Sequence, residues 1–554
     1  MEPRLSPQAR RRRDRFVLFV LGLALFAPGL GLRDPWPPDE PRFAQIAREM
    51  LVSGQWLIPH IGGHPYPDKP PVFFWAIAAF EALTGSARLA FLLPSLLAAL
   101  GTLLLTYDLG RRLWNARVGM MAALLLAFTV QFTLQARMAQ IDALLCFWTT
   151  LAMYGFLRHL VRGPDLRAFY LGCFAIAAGV LTKGVGFLPL VVLPIAALWC
   201  RRHPGSLSGI APRHALGAAA LVIAVLLAWA GPMLWASLHD PALAAYRDDL
   251  LLRQTATRYA NAWGHREPFW YYLVQVIPPF WLPGSLLLPW LIPAWRRRIG
   301  RGDARYVLLL GYVLVVIIFF SLSSGKRGLY VLPATPALAL ACAPLLPGLL
   351  RKQVVQVLAW GVVVLLGLAL LTGWLYLAWV DEHIVPELMA RYRVQPWAPL
   401  AILTTASLAL AAWLGPRRGF RALLMTLLVG WWVHGFWAAP MLDDVRSGRS
   451  LMRQVTDRLD PGAELGMVDW KEQFLYQADR PVMTFGYRRA DRIGEATEAI
   501  AWMRAAPKRW VLVPEERLDP CFEPRLAVAL GRAHREHWYL VGPEAVRDCG
   551  ESAP

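Results

Sequence analysis

The chain has 554 residues, 56% hydrophobic and only 17% charged, yet it carries a formal charge of +19. Soluble globular chains average ~45–50% apolar and ~25% charged, so both fractions are displaced toward what lipid requires, as is the mean hydropathy of +0.40. Disorder, collagen and a soluble enzyme are excluded, and no nucleic-acid partner is expected, because the basic residues flank apolar runs instead of gathering in one domain.

Apolar runs of about 20 residues predict about 13 membrane helices. In chain order they cover 16–32, 90–109, 118–134, 143–160, 168–181, 186–199, 215–235, 270–295, 306–322, 330–349, 354–380, 399–414 and 422–441. Every second gap is rich in arginine: Arg10 to Arg13 and Arg15, then Arg111, Arg112 and Arg117, then Arg158, Arg162 and Arg167, and so on to Arg417, Arg418 and Arg421. The positive-inside rule makes these gaps cytoplasmic, and an odd count places the N-terminus inside and the C-terminus outside. No small-residue cleavage site followed by a soluble domain appears after 16–32, so it reads as an uncleaved first span and not a signal peptide. The fold expected is an all-α polytopic membrane protein, residues 1–445, followed by a small soluble α/β domain, 446–554.

The run 71–83 is too short to cross ~30 Å of hydrocarbon, and counting it would reverse the alternation of arginines. It is expected to be an interfacial helix within a long first external loop, 33–88. That loop contains Asp39-Glu40-Pro41-Arg42 and, further on, His64-Pro65-Tyr66-Pro67-Asp68-Lys69-Pro70-Pro71. Asp39 before Glu40-Pro41 suits a helix N-cap, a purely local role. Prolines flanking Asp68 and Lys69 restrict the backbone and lower the entropy lost in holding the two charges still.

Further ionisable residues gather at the same external face. Arg137 and Asp142 bracket a short turn, Lys183 lies between the fifth and sixth spans, and Lys326 and Arg327 precede Tyr330. The external segment 237–268 carries His265 beside Glu267 and an aromatic run, Phe269 to Tyr272. Ionisable groups near hydrocarbon are costly and often functional, although snorkelling at the interface accounts for some.

From Ser447 onward the chain is charged and has no membrane-length run. Short apolar stretches at 465–468, 482–485, 510–513 and 538–541 and a helical stretch at 490–504 predict a small α/β layer. Its Asp469, Lys471 and Glu472 read as solvated. Cys146, Cys173, Cys200 and Cys342 lie in or at spans, whereas Cys521 and Cys549 both fall in the external domain and are expected to form a disulfide.

No nucleotide-binding phosphate loop or Rossmann fingerprint is present, so no nucleotide cofactor is expected. Carboxylates and cations on one outer face suit a membrane-borne phosphorylated substrate, whose phosphate the cations hold while a carboxylate acts on the acceptor or on developing oxocarbenium charge. A lipid or ion transporter is the alternative outside enzymology, but its charges should lie near the bilayer midplane.

The run Asp39 to Met50, Asp68-Lys69-Pro70-Pro71, Arg137 to Asp142, Thr182-Lys183-Gly184 and His265 to Tyr272 together resemble the bacterial polyprenyl-phosphate-sugar glycosyltransferases of the GT-C class. The resemblance is to those that transfer 4-amino-4-deoxy-L-arabinose to lipid A, themselves related to the protein O-mannosyltransferases. It implies a monomeric inner-membrane enzyme moving a sugar from undecaprenyl phosphate to a lipid A phosphate on the periplasmic face. A protein O-mannosyltransferase-like or other polyprenyl-sugar reaction is the enzymatic alternative. Carried over residue by residue, it implies catalytic carboxylates at Asp39 and Asp142 and donor-phosphate contacts at Lys69 and Tyr330; Arg42, Arg137, Lys183 and Lys326, cations on the same face, are expected to complete the donor-phosphate site. It also implies a divalent metal at Asp68 and His265, where Asp68 replaces the glutamate common in the aminoarabinose enzymes and is one methylene shorter.

Overall fold

A computed structural model describes residues 6–251, 266–379, 385–386, 389, 395–486, 492–518, 521–533 and 536–547. Every predicted span has a helix at its place. Among the described residues nine helices are long and apolar enough to cross a membrane, from Ala87–Leu113 to Gly419–Ser447. Two further spans are bent pairs: Ala116–Ala127 with Val130–Ala136 at 70°, and Tyr272–Phe280 with Ser285–Gly300 at 108°. Pro278, Pro279 and Pro283 interrupt the second pair, since proline supplies no N–H to the helical ladder. The remaining two are Leu166–Thr182, which is short, and α1 (Pro7–Phe26), whose first half holds the arginines. The helix α1 therefore begins well before the apolar run that signals it. Ser6 caps it by accepting the Ala9 N–H at 3.2 Å, and Pro28-Gly29, with Gly29 at φ 87°, follows its end.

The first loop folds into α2 (Glu40–Ser53), a hairpin of β1 (His60–Ile61) and β2 (His64–Pro65), and α3 (Val72–Thr84). The 13-residue α3 matches the expected interfacial helix almost residue for residue. Both α2 and α3 stop at a left-handed glycine, Gly54 at φ 69° and Gly85 at φ 63°. Phe43, Ile46, Ala47 and Met50 recur on one face of α2 and pack on Phe73, Phe74 and Ile77 of α3, with the Phe43 and Phe73 rings edge to face at 5.7 Å. Each large side chain so buried contributes ~1.5–3 kcal/mol. Leu475 and Tyr476, from the far end of the chain, complete the same core.

The C-terminal region holds a five-stranded mixed sheet in the order β4 (Val482–Thr484), β3 (Glu464–Met467), β5 (Arg509–Pro514), β7 (Glu536–Val541), β6 (Val528–Ala533). The strands β4, β3 and β5 are parallel, Leu465 pairing with Val482 and Trp510, and β7 runs antiparallel to both β5 and β6. All four predicted apolar stretches lie on strands, and the predicted helix is Arg492–Arg504. The fifth strand, β6, was not expected. Its sequence Val-Ala-Leu-Gly-Arg-Ala has no β-branched alternation, and it sits exposed at the sheet edge with an irregularity between Ala529 and Gly531. Cys521 is disulfide-bonded; its expected partner, Cys549, lies outside the described residues.

Candidate active site

Asp39 occupies the cap position of α2, yet its side chain makes no capping hydrogen bond. It accepts instead from Arg327 Nη2 at 2.8 Å, and Arg42 stands 4.0 Å away on the next turn. Burial pushes its carboxyl up, but the charge and hydrogen bond of Arg327, followed by the charges of Arg42 and Lys69, outweigh that and leave it below the ordinary aspartate range. Lys69 projects from the proline-bounded turn before α3 and donates to the Asp68 carbonyl at 2.7 Å. Asp39 is therefore an ionised carboxylate held in a cationic surround, not a cap.

A second carboxylate lies on the neighbouring elements. Asp142 is buried in the first turn of Ile141–Arg162 and accepts from Lys183 Nζ at 2.6 Å. The Lys183 ammonium stands 4.4 Å from the Tyr330 ring centroid, a cation–π contact. Arg327 connects the two centres: burial opposes its charge, but Asp39 and then Asp142 hold its pKa above the ordinary arginine value. Its backbone is fixed as well. Tyr272 Oη donates to the Arg327 carbonyl at 3.3 Å, and Gln131 Nε2 donates to the Gly328 carbonyl at 2.6 Å.

Five of the expected site residues thus come together: Asp39, Lys69, Asp142, Lys183 and Tyr330. Two cations assigned to phosphate binding are held by backbone carbonyls, and a third, Arg42, is shared between Asp39 and Glu472. Buried Arg137 donates to the carbonyls of Leu25 and Pro28, both at 2.9 Å, so it ties down the C-terminal end of α1, where unpaired carbonyls favour a cation. Lys326 is also buried and donates to the Glu267 carbonyl at 2.7 Å. Arg42 forks onto Glu472 at 2.6 and 2.8 Å, which also shows that Glu472 is not merely solvated. Glu40, adjacent to Asp39, is a structural latch: it is buried, accepts both Arg33 guanidinium nitrogens and takes the N–H groups of Trp36 and Ala139 at 2.8 and 2.9 Å.

Arg327 is the residue sequence reasoning undervalued. The signal was its place beside Lys326: Arg327 has extended backbone, φ −124° and ψ 141°, so the two neighbouring side chains leave in opposite directions. One reaches a carbonyl and the other the carboxylate. His265 lies outside the described residues, and among the described residues no group of three or more His, Cys, Asp and Glu side chains forms a metal site.

Membrane helices that carry a folded first loop, with Asp39, Lys69, Asp142, Lys183 and Arg327 gathered where the two meet, match a membrane glycosyltransferase of the GT-C type. The fold matches the crystal structure of ArnT from Cupriavidus metallidurans bound to undecaprenyl phosphate with a TM-score of 0.73 at 20% identity, over 95% of this chain and 97% of that one. A family profile described as dolichyl-phosphate-mannose-protein mannosyltransferase matches residues 13–241. The undecaprenyl phosphate-alpha-4-amino-4-deoxy-L-arabinose arabinosyl transferase of Pseudomonas aeruginosa is 31% identical over 465 residues, 82% of this chain and 80% of that protein. The enzyme of the same name from Serratia proteamaculans is 31% identical over 76% of this chain and 73% of its own length. The chain belongs to this family of aminoarabinose arabinosyl transferases, and it is an integral membrane protein.

Proposed function

We propose that the protein transfers 4-amino-4-deoxy-L-arabinose from undecaprenyl phosphate to a phosphate of lipid A, at the periplasmic face of the inner membrane. The N-terminus is cytoplasmic, and the first loop and residues 446–554 face the periplasm. The observation that carries this reading is the Asp39–Arg327 pair under the field of Lys69, beside Asp142, Lys183 and Tyr330. The bond between the sugar's anomeric carbon and the donor phosphate breaks, undecaprenyl phosphate leaves, and an acceptor phosphate oxygen forms the new bond. Lys69, Arg327 and Lys183 stabilise the charge that grows on the leaving phosphate. The acceptor phosphate is already ionised at neutral pH, so Asp39 serves as an anion that orients the sugar and balances oxocarbenium charge. Asp142 holds Lys183 in place.

Mass spectrometry of lipid A from cells with and without the protein tests the assignment, with one aminopentose per modified phosphate expected. Asp39→Asn and Lys69→Ala are each expected to abolish the modification while the protein still inserts; full modification in either variant overturns the roles given to them. A second reading, transfer to a protein hydroxyl, draws on the mannosyltransferase profile over 13–241. There Asp39 is the base, lipid A stays unchanged and the product is a glycoprotein.

A further inference from the structure

Helix Ala87–Leu113 starts at the first loop and, at 27 residues and ~1.5 Å each, ends ~40 Å away on the other membrane face. There the turns between helices enclose an open bowl of about 860 Å³, lined by Arg111, Arg112, Arg158, Arg162 and Arg167 together with Trp114 and Asp165. The positive-inside rule asks only for a number of cations on this face, and a scattered set satisfies it. Here five guanidinium groups line one concavity.

Their neutralisation is also incomplete. Asp108 accepts Arg111 at 2.8 Å, Arg112 at 2.6 Å and the Tyr154 hydroxyl at 2.7 Å, with Arg11 and Arg15 at 3.4 and 3.6 Å. Asp165 pairs with Arg158 and caps Leu166–Thr182 through the Ala168 N–H at 3.0 Å. Arg162 and Arg167 are exposed and have no carboxylate partner among the described residues. Trp114, in the lining of the bowl, is held under Arg305, 4.9 Å from guanidinium carbon to ring centroid.

We propose that this bowl binds the phosphodiester headgroup of an anionic phospholipid, with Arg162 and Arg167 gripping the phosphate and Arg111 and Arg112 supplying the surrounding field. A planar guanidinium matches two phosphate oxygens at once, and a basic side chain near an anionic surface is worth roughly a fivefold gain in binding. The site is independent of the transfer reaction.

The test is native mass spectrometry of the full chain released from bilayers of equal phosphatidylglycerol and phosphatidylcholine. Phosphatidylglycerol is expected to be retained selectively, and Arg162→Gln with Arg167→Gln to weaken that retention about 30-fold. Arg351→Gln with Lys352→Gln removes the same charge elsewhere on the arginine-rich side and should leave retention intact. Equal loss in both double variants, or no preference for phosphatidylglycerol, overturns the site. Displacement of the lipid by millimolar glycerol phosphate assigns the bowl to a soluble phosphate and overturns the lipid.

Discussion

Replacing Arg327 by alanine isolates the contact that best distinguishes an active Asp39 from a helix cap. The pair is largely buried, with the two side chains 26% and 14% exposed, so solvent screens it little. A charge-assisted hydrogen bond of this kind is worth ~1.5–3 kcal/mol, or roughly a 10–150-fold change in an equilibrium or rate. Arg327→Ala is therefore expected to lower kcat/KM for transfer by about that factor. The pH dependence gives a second readout. Asp39 has a depressed pKa, so the stability and activity tied to its charge are present above the unfolded aspartate pKa and fade as pH falls through the folded value. Without Arg327, burial is opposed only by Arg42 and Lys69, the folded pKa rises, and the acid limb of the rate profile moves to higher pH. Arg327→Lys, which keeps the charge, should recover part of both effects. The assay is transfer from undecaprenyl-phosphate-linked sugar to lipid A in reconstituted vesicles, with product quantified by mass spectrometry from about pH 2 to 8. A rate within twofold of the parent and an unmoved acid limb in folded Arg327→Ala would refute the reasoning.

Arg137→Ala should act on stability and not on substrate: it strips two helix-end carbonyls of their buried donor, so detergent-solubilised protein should melt earlier, while KM for the donor in the folded fraction stays within threefold. A selectively raised donor KM would return Arg137 to the phosphate site. Reversing the Arg42–Glu472 pair tests whether that contact carries activity. Glu472→Arg alone should depress transfer severalfold, and the combined Arg42→Glu and Glu472→Arg protein should regain only part of it, because Arg42→Glu also removes the cation 4.0 Å from Asp39; full recovery would show that Arg42 acts through Glu472 alone. Chelation by EDTA reads directly whether a divalent metal serves the reaction, and transfer within twofold of the untreated enzyme would remove the metal from Asp68 and His265. Loss of transfer that manganese or zinc restores, and that Asp68→Asn reproduces, would assign a metal to Asp68 and His265.

The helices were legible because lipid imposes a one-dimensional rule: a run of about 20 apolar residues must cross, and arginine marks the side. Even the exception, α3, was legible from its length. The carboxylates were visible too, because Asp39, Asp142, Lys69 and Lys183 stand where topology gives charge no purpose. What sequence does not show is which acceptor each long basic side chain reaches. Arg137, Lys326 and Arg42 have the right charge on the right face, yet the first two are taken by backbone carbonyls and the third by Glu472, 430 residues away. Local pattern likewise failed for β6, an edge strand whose pairing with β7 is decided by the sheet and not by its own composition.

The shared core of the first loop and the C-terminal region also sets an order of events during synthesis. The Asp34 N–H and the Trp36 indole both donate to Asp443, and Asp34 takes Arg449 and Gln477 as well. The first of these partners lies 409 residues downstream, which at ~5–20 residues per second is roughly 20–80 s of translation. The loop bearing Asp39 and Lys69 is thus among the first segments synthesised and among the last to reach its final structure. On the proposed orientation a nascent chain carries Asp39 across the membrane early, but its surroundings are complete only when the ribosome has nearly finished.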